Sequence, residues 1–213
     1  EGAPFAAVAV ACSGEDSYLM PVGPELTCGY LTERLLSEED RLLIAPELKQ
    51  ALKYLPFGES DAKAMGWERY EKQRGRFFDR TVAAYLLNPL TGSYPYEDVA
   101  KNYLGLMVPS RADLLGKQTI AQALAGAEGE KEALAAACYE TWTAFKSWPV
   151  LKEQLENTGM LQLFSEVEMP LVFVLSDMER AGICLNTEEL KRYGGELSVS
   201  IAALAQKIYD QAG

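Results

Sequence analysis

The sequence predicts an α/β fold with a helix-rich C-terminal half. Three observations carry this. Short apolar runs bounded by turn residues mark strands within the first 45 positions, helical stretches are interleaved with them, and helical periodicity is almost unbroken from about Lys117 onward. Strand, helix, strand, helix in that order is the pattern of an α/β layer.

Residues 4–11 (PFAAVAVA) form an apolar run, SGED at 13–16 a turn, and Ser17 to Val22 a second strand, together a hairpin. A helix follows over Glu25–Leu36 and a strand over Asp40–Ile44. Pro46 opens a helix to about Tyr54, with Leu48, Leu52 and Leu55 on one face. From Gly58 to Gly75 the chain is charged and glycine-punctuated, which reads as a loop with room for one helical turn. Asp79 caps a helix that runs to Leu87 and closes at Asn88-Pro89. Tyr96–Leu104 is a short amphipathic helix, and 105–117 a loop with one further turn. The remainder is helical: 117–125, 128–156 with a kink near Trp148-Pro149, 159–164, 168–181 and Thr187 to Gln211. Gly194-Gly195 weakens the last helix without breaking it.

At 213 residues the chain suits one domain, or one domain with an appendage, and its 48% apolar content is ample for a core. No apolar run reaches the ~20 residues of a membrane helix, and no secretory signal is present. Cys12, Cys28, Cys138 and Cys184 are far apart and form no CxxC pair, so they read as reduced thiols. The expectation is a cytoplasmic monomer with no membrane partner.

The chain carries 31 acidic against 20 basic residues, a net charge of −11, and no histidine. Histidine-dependent catalysis and the commonest transition-metal ligand are therefore excluded. Binding DNA through its phosphates requires a basic stripe. The one basic cluster, Lys72, Arg74, Arg76 and Arg80, is interleaved with Glu68, Glu71 and Asp79, so DNA binding by this chain alone is expected to be weak or absent. The acidic run Ser37–Asp40 reads as a solvated face. Trp142, Phe145 and Trp148, at helical spacing, read as core rather than as a base-stacking platform.

The most informative stretch is Glu166 to Glu189. Glu166 and Glu168 lie near a helix's positive end, and Pro170 suits its first turn. Leu171, Val174, Leu175 and Met178 form one apolar face, and Gly182 follows the basic Arg180 as a stop. Ile183, Cys184 and Leu185 are extended. Asn186 with Glu189 then resembles a capping box for the next helix.

The pattern E-x-P-L-x-x-V-L-x-x-M-E-x-x-G-I-x-L-N in this stretch resembles the junction at which family A DNA polymerases, the family of bacterial DNA polymerase I, pass from exonuclease domain to thumb. FFDRTVAAYLLNP (77–89) and YEDVAKNYLG (96–105) resemble two earlier helices of that family, in the same order, so the likeness covers roughly 77–213. Those two also occur across the wider group of ribonuclease-H-like 3′–5′ exonucleases.

The resemblance implies a ribonuclease-H-like fold, a mixed sheet with flanking helices, over 1–165. The hairpin would be its second and third strands, with the first strand upstream of residue 1. Residues 166–213 would be the junction and the first thumb helix. A start in mid-sheet without methionine points to a cut within a longer polypeptide.

Proofreading exonucleases of this family hold two divalent metals with four carboxylates, because hard Mg²⁺ requires oxygen ligands. Two of these carboxylates form an Asp-x-Glu on the first strand. A third belongs to the helix near 46–54, and the last to a Tyr-x-x-x-Asp ahead of Trp-Pro. Under an ungapped match Ala51 takes the helix aspartate's place, while Glu132 and Ala136 take the tyrosine and aspartate places. Alanine cannot ligate a metal. The resemblance thus implies a degenerate exonuclease-like domain with lost positions Ala51, Glu132 and Ala136, and with no catalytic, cofactor-binding or metal-binding residue of its own.

Such a domain would be a structural platform for DNA-directed DNA synthesis in replication and repair. DNA would be bound by the parent nucleotidyltransferase and Mg²⁺ in its palm. Asp79 stands in a recognisable family position, where it reads as a helix cap. Two rival readings stand beside this one. The first is an active 3′–5′ exonuclease with non-standard carboxylates, Glu15 and Asp16 in the hairpin turn being the candidates. The second is an acidic, non-catalytic interaction domain. The closing helix presents Leu190, Leu197, Ile201, Leu204 and Ile208 on one stripe, which either packs on its own domain or begins a projecting element; the resemblance favours the latter.

Overall fold

The computed structural model describes residues 7–13, 16–23, 30, 33–34, 41–55, 65–126 and 129–212. The expected helix over Glu25–Leu36 lies largely outside these residues; Tyr30, Glu33 and Arg34 are described and are helical. Glu15, Cys28 and the run 37–40 also lie outside them.

β1 (Ala7–Ser13) pairs antiparallel with β2 (Asp16–Pro21), in register from Ala7↔Pro21 to Ala11↔Ser17, as the hairpin reading requires. β3 (Leu43–Ala45) pairs in parallel with β4 (Phe77–Asp79), so the described residues form two two-stranded sheets. The sequence reading places no strand at β4. Three residues are too few to show a period of two, and the pairing comes from a strand far away in sequence. What holds β4 is burial. Phe77 meets Phe173 edge-on with ring centroids 5.5 Å apart, and Phe78 lies 4.9 Å from Phe164.

α1 (Leu48–Ala51) follows β3 and is shorter than the expected 46–54 helix. α2 (Gly66–Lys72) is nearly two turns long where the sequence reads as a loop with room for one helical turn. Glu68 starts it by accepting from the Met65 N–H at 3.0 Å, and Arg69 and Tyr70 are buried. α3 (Arg80–Leu87) follows β4 directly and buries Ala83 and Ala84. α4 (Tyr96–Val99) runs on into a π-helical turn, Ala100–Leu104. α5 (Arg111–Leu115) and α6 (Ile120–Ala125) each begin with a reciprocal capping box, Ser110 with Asp113 and Thr119 with Gln122.

α7 (Glu130–Asn157) continues past Pro149 as one helix and packs on β1, β2, β3, α3, α5 and α6. Its buried face is built largely of small residues, among them Ala133, Ala136, Ala137, Ala144 and Ser147. Trp148 packs against the main core, as expected, but Trp142 is only half-buried and walls a shallow apolar cleft beside Cys138 and Tyr139.

The two helices expected at 159–164 and 168–181 are one continuous helical segment. α8 (Leu161–Leu163) passes through a π-helical turn, Phe164–Glu168, into α9 (Met169–Ala181). The widened turn lies just ahead of Pro170, whose ring would otherwise crowd a carbonyl one turn back and which offers no N–H. The main core joins Leu48, Leu52, Phe77, Phe78, Val99, Leu151, Leu155 and Phe173.

The chain divides into two compact units, Glu1–Arg180 and Ala181–Gly213. The second holds Gly182 at φ +69°, the left-handed stop, and α10 (Thr187–Ala212), which continues through Gly194-Gly195. Asn186 accepts from the Glu189 N–H at 3.1 Å, and the Glu189 carboxylate is engaged by Arg192 rather than returning to Asn186. No single helix among the described residues is long and apolar enough to cross a membrane.

α2 crosses α9 at Gly66, where a Cβ would stand 2.6 Å from the backbone carbon and oxygen of Phe173. Backbone cannot yield as a side chain can, so Gly66→Ala should lower stability by about 2 kcal/mol or more in urea unfolding. Gly92→Ala, with open space around it, should leave the midpoint unchanged.

Candidate functional site

Among the described residues, the ends of the parallel strands gather a set of polar groups. β3 ends at Ala45 opposite Asp79 at the end of β4, so both chains turn into helices at the same level. Asp79 Oδ1 accepts from the Val82 N–H at 3.0 Å, capping α3, and Oδ2 accepts from the Leu48 N–H at 2.7 Å, at the start of α1. The Thr81 hydroxyl closes the corner by donating to the Pro46 carbonyl at 2.6 Å. Asp79 is 3% exposed. Burial pushes its carboxyl up to about 6, against the pull of the Val82, Leu48 and Thr81 N–H groups and of Arg80. Asp79 is thus a cap, as the sequence reading has it, and it also caps a second helix that the reading does not foresee.

Beside this corner lies a cleft of about 540 Å³, edged by Glu47, Tyr94, Tyr96, Glu97, Arg111 and Glu168, with Arg80 and Glu140 also in its wall. Arg80 is 2% exposed; its Nη1 lies 2.9 Å from Glu140 Oε1 and its Nη2 donates to the Tyr94 carbonyl. Burial raises the Glu140 carboxyl, and the neighbouring Arg80 opposes that rise. The buried guanidinium is thus paired with a half-buried carboxylate.

This geometry places the four residues of the basic cluster, Lys72, Arg74, Arg76 and Arg80, in different surroundings. Arg80 is internal. Arg74 is paired with Glu71 and sits over the Tyr70 ring, and Arg76 donates to Gln73 at 3.0 Å. The sequence reading also misses the Arg80–Glu140 pair. Its only sequence signal is a charged residue on the alanine-rich face of α7, one turn beyond Ala136.

The positions read as lost from an exonuclease site are placed as follows. Ala51 ends α1 and is half-buried. Ala136, 1% exposed, packs with Ala133, Ala123 and Leu115 in a small apolar cluster under α5 and α6. Glu132 is half-buried, and its Oε2 has no hydrogen-bond partner. Asp16 is exposed at the tight end of the hairpin. Among the described residues, no three Asp, Glu or Cys side chains converge as a metal would need. Cys12, Cys138 and Cys184 are free thiols. Asp79 serves to cap, and Glu140 to pair with Arg80.

Two expectations follow. The Asp79 carboxyl titrates near 6 when folded and near 3.8 in its reference state, so between those values the native protein holds the extra proton. Its contribution to stability is complete below about pH 3.8 and is lost as pH rises through 6, by about 3 kcal/mol. Unfolding curves against pH should show this decline in the parent and not in Asp79→Asn. Glu140→Ala leaves the Arg80 charge buried without its partner. It should cost about 2–4 kcal/mol, most of which the double change Arg80→Met with Glu140→Leu should recover in the same denaturant assay.

No protein-family model matches the chain. Its sequence is 31% identical over 150 residues to DNA polymerase I of Bacillus subtilis (strain 168), covering 70% of this chain and 16% of that protein. It is 28% identical over 181 residues to DNA polymerase I of Rhizobium leguminosarum, covering 84% and 16%. It is 35% identical over 145 residues to DNA polymerase I of Chloroflexus aurantiacus, covering 67% and 15%. The chain spans about a sixth of the length of these relatives. With the polymerase-like helices in their expected order, these likenesses identify the chain as a member of the bacterial DNA polymerase I family.

Proposed function

We propose that this stretch is the exonuclease-like part of a DNA polymerase I, with residues 166–213 leading into the thumb. In this reading it has lost the 3′–5′ exonuclease reaction and acts as a structural platform for DNA synthesis by the whole enzyme. The ribonuclease-H-like reading is supported by α7, which packs on β1 and β2 and also on β3. One helix thus contacts both two-stranded sheets, and the family resemblance places a further strand upstream.

The observation that carries the loss of activity is Ala136. The place of a metal-binding aspartate is filled by a methyl group packed against Ala133, Ala123 and Leu115. Ala51 likewise offers no ligand atom, and Glu132 is half-buried with its Oε2 out of solvent. This donor set does not fit a two-metal exonuclease centre, whose hard cations need several oxygen ligands. DNA contact, and the Mg²⁺ that supports synthesis, belong in this reading to the palm of the whole enzyme. The chain's net charge of −11 agrees with a part that does not hold DNA by itself.

The deciding assay is turnover of a 3′-labelled single strand with Mn²⁺, using the polypeptide extended upstream through the first strand. No release, and no heat of metal binding by calorimetry, is expected; metal-dependent release would overturn the reading. Ala136→Asp should place a charge among apolar side chains and lower stability by about 3 kcal/mol in urea unfolding, without producing turnover.

A further inference from the structure

A second cleft shares no lining residue with the one at the strand ends. Ala135, Cys138, Tyr139 and Trp142 follow one another at helical spacing on α7 and form one wall. Ser17 of β2 and Val108 complete it around about 400 Å³. None of the six carries a formal charge. Burial raises the Cys138 thiol above its ordinary value, which keeps it protonated. One buried tyrosine ties two of the sides together. Tyr96, 1% exposed, stacks on Tyr139 with ring centroids 6.0 Å apart, and its hydroxyl donates to the Pro109 carbonyl at 2.8 Å, next to Val108. The Cys138 thiol donates to the Ser17 carbonyl at 3.8 Å and ties β2 to the same helix. The walls are thus set before anything binds between them. The Ser17 Oγ is closed to solvent and, among the described residues, has no hydrogen-bond partner.

From this we infer that the cleft is a binding site for a small, neutral, planar aromatic molecule with one hydrogen-bonding group. The uncharged lining selects a neutral ligand, because an ion would lose its hydration there and meet no opposite charge. Tyr139, Trp142 and the Cys138 sulfur favour a ring, which they can meet by stacking and by sulfur–aromatic contact. The volume falls in the range of small-molecule sites and suits one or two rings. The unpaired Ser17 hydroxyl is the natural partner of a single donor or acceptor on the ligand, since an unmet buried hydroxyl is costly. The inference stands independently of the family assignment.

The test uses the natural longer polypeptide, with indole as the probe and iodoacetamide as the thiol reagent, each cysteine being read by mass spectrometry. Alkylation of Cys138 should slow several-fold, and saturably, as indole rises to millimolar concentration. The exposed Cys12 and Cys184 should react at unchanged rates and serve as the internal reference. Ala135→Leu, which fills the cleft from α7, should abolish the protection. Val108→Phe fills it from the opposite side and gives the same reading if Ala135→Leu does not fold. N-methylindole, which lacks the N–H donor, should protect several-fold less well, and equal protection would overturn the assigned hydrogen bond. Protection that rises without saturation, or that persists in the filled variants, would overturn the site. So would a Cys138 that indole leaves unprotected. A Cys138 closed to the reagent even without indole would overturn it too, since the protein itself then fills the cleft.

Discussion

Asp79 divides its two carboxylate oxygens between two helices that begin 30 or so residues apart, and in doing so fixes how both parallel strands turn. Oδ1 serves α3, which follows its own strand, and Oδ2 serves α1, which follows the neighbouring strand. The Thr81 hydroxyl and N–H both reach the Pro46 carbonyl, so the two strand-to-helix corners are tied to each other twice. Helix starts leave N–H groups without partners, and burying two such starts side by side would be costly. One carboxylate answers both. Its own desolvation is the opposing term, which is why its proton is held more tightly in the fold than in solution.

From that corner the remaining architecture follows through α3 and α7. Arg80, the first residue of α3 and itself buried, meets the half-buried Glu140 on α7, so the capped corner and the long helix are joined by an ion pair. Such a pair is weak evidence for stability and better evidence for register, because moving either helix by a turn would strand the Arg80 charge. The buried face of α7 beside this pair is made of small residues, Ala133, Ala136, Ala137 and Ala144 among them.

Where the relevant interaction lies within a few residues, the sequence is legible. The hairpin, the Asp79 cap, the glycine stop at 182 and the Asn186 start are all local, and each can be read from residue type and spacing. Where the interaction joins distant segments, it is not. β4 exists because Phe77 and Phe78 are covered by Phe173 and Phe164, and α2 because Arg69 and Tyr70 find Asp177 and the Ser165 carbonyl. The stretch around α2 looks polar and loop-like because two of its polar side chains are satisfied inside the protein. The same rule governs the candidate site. Ala51, Glu132 and Ala136 are visible by comparison with a motif, but the Arg80–Glu140 pair is visible only once α3 lies on α7.

A metal-binding face and a close-packed face make opposite demands on one helix. The first needs carboxylates converging on a wet, open position, and the second needs small apolar side chains that exclude water. α7 meets the second demand at Ala136, where the methyl group is covered by Leu115 and Ala123 from the helices above it. One turn further along the same helix, Glu140 could have served the first demand, yet its carboxylate is already committed to Arg80. Restoring a single aspartate would therefore not rebuild a site. It would disturb a packed cluster while the neighbouring carboxylate stayed bound to its guanidinium. Under the proposed reading, then, loss of catalysis would involve the packing of the whole helix face rather than a single ligand position.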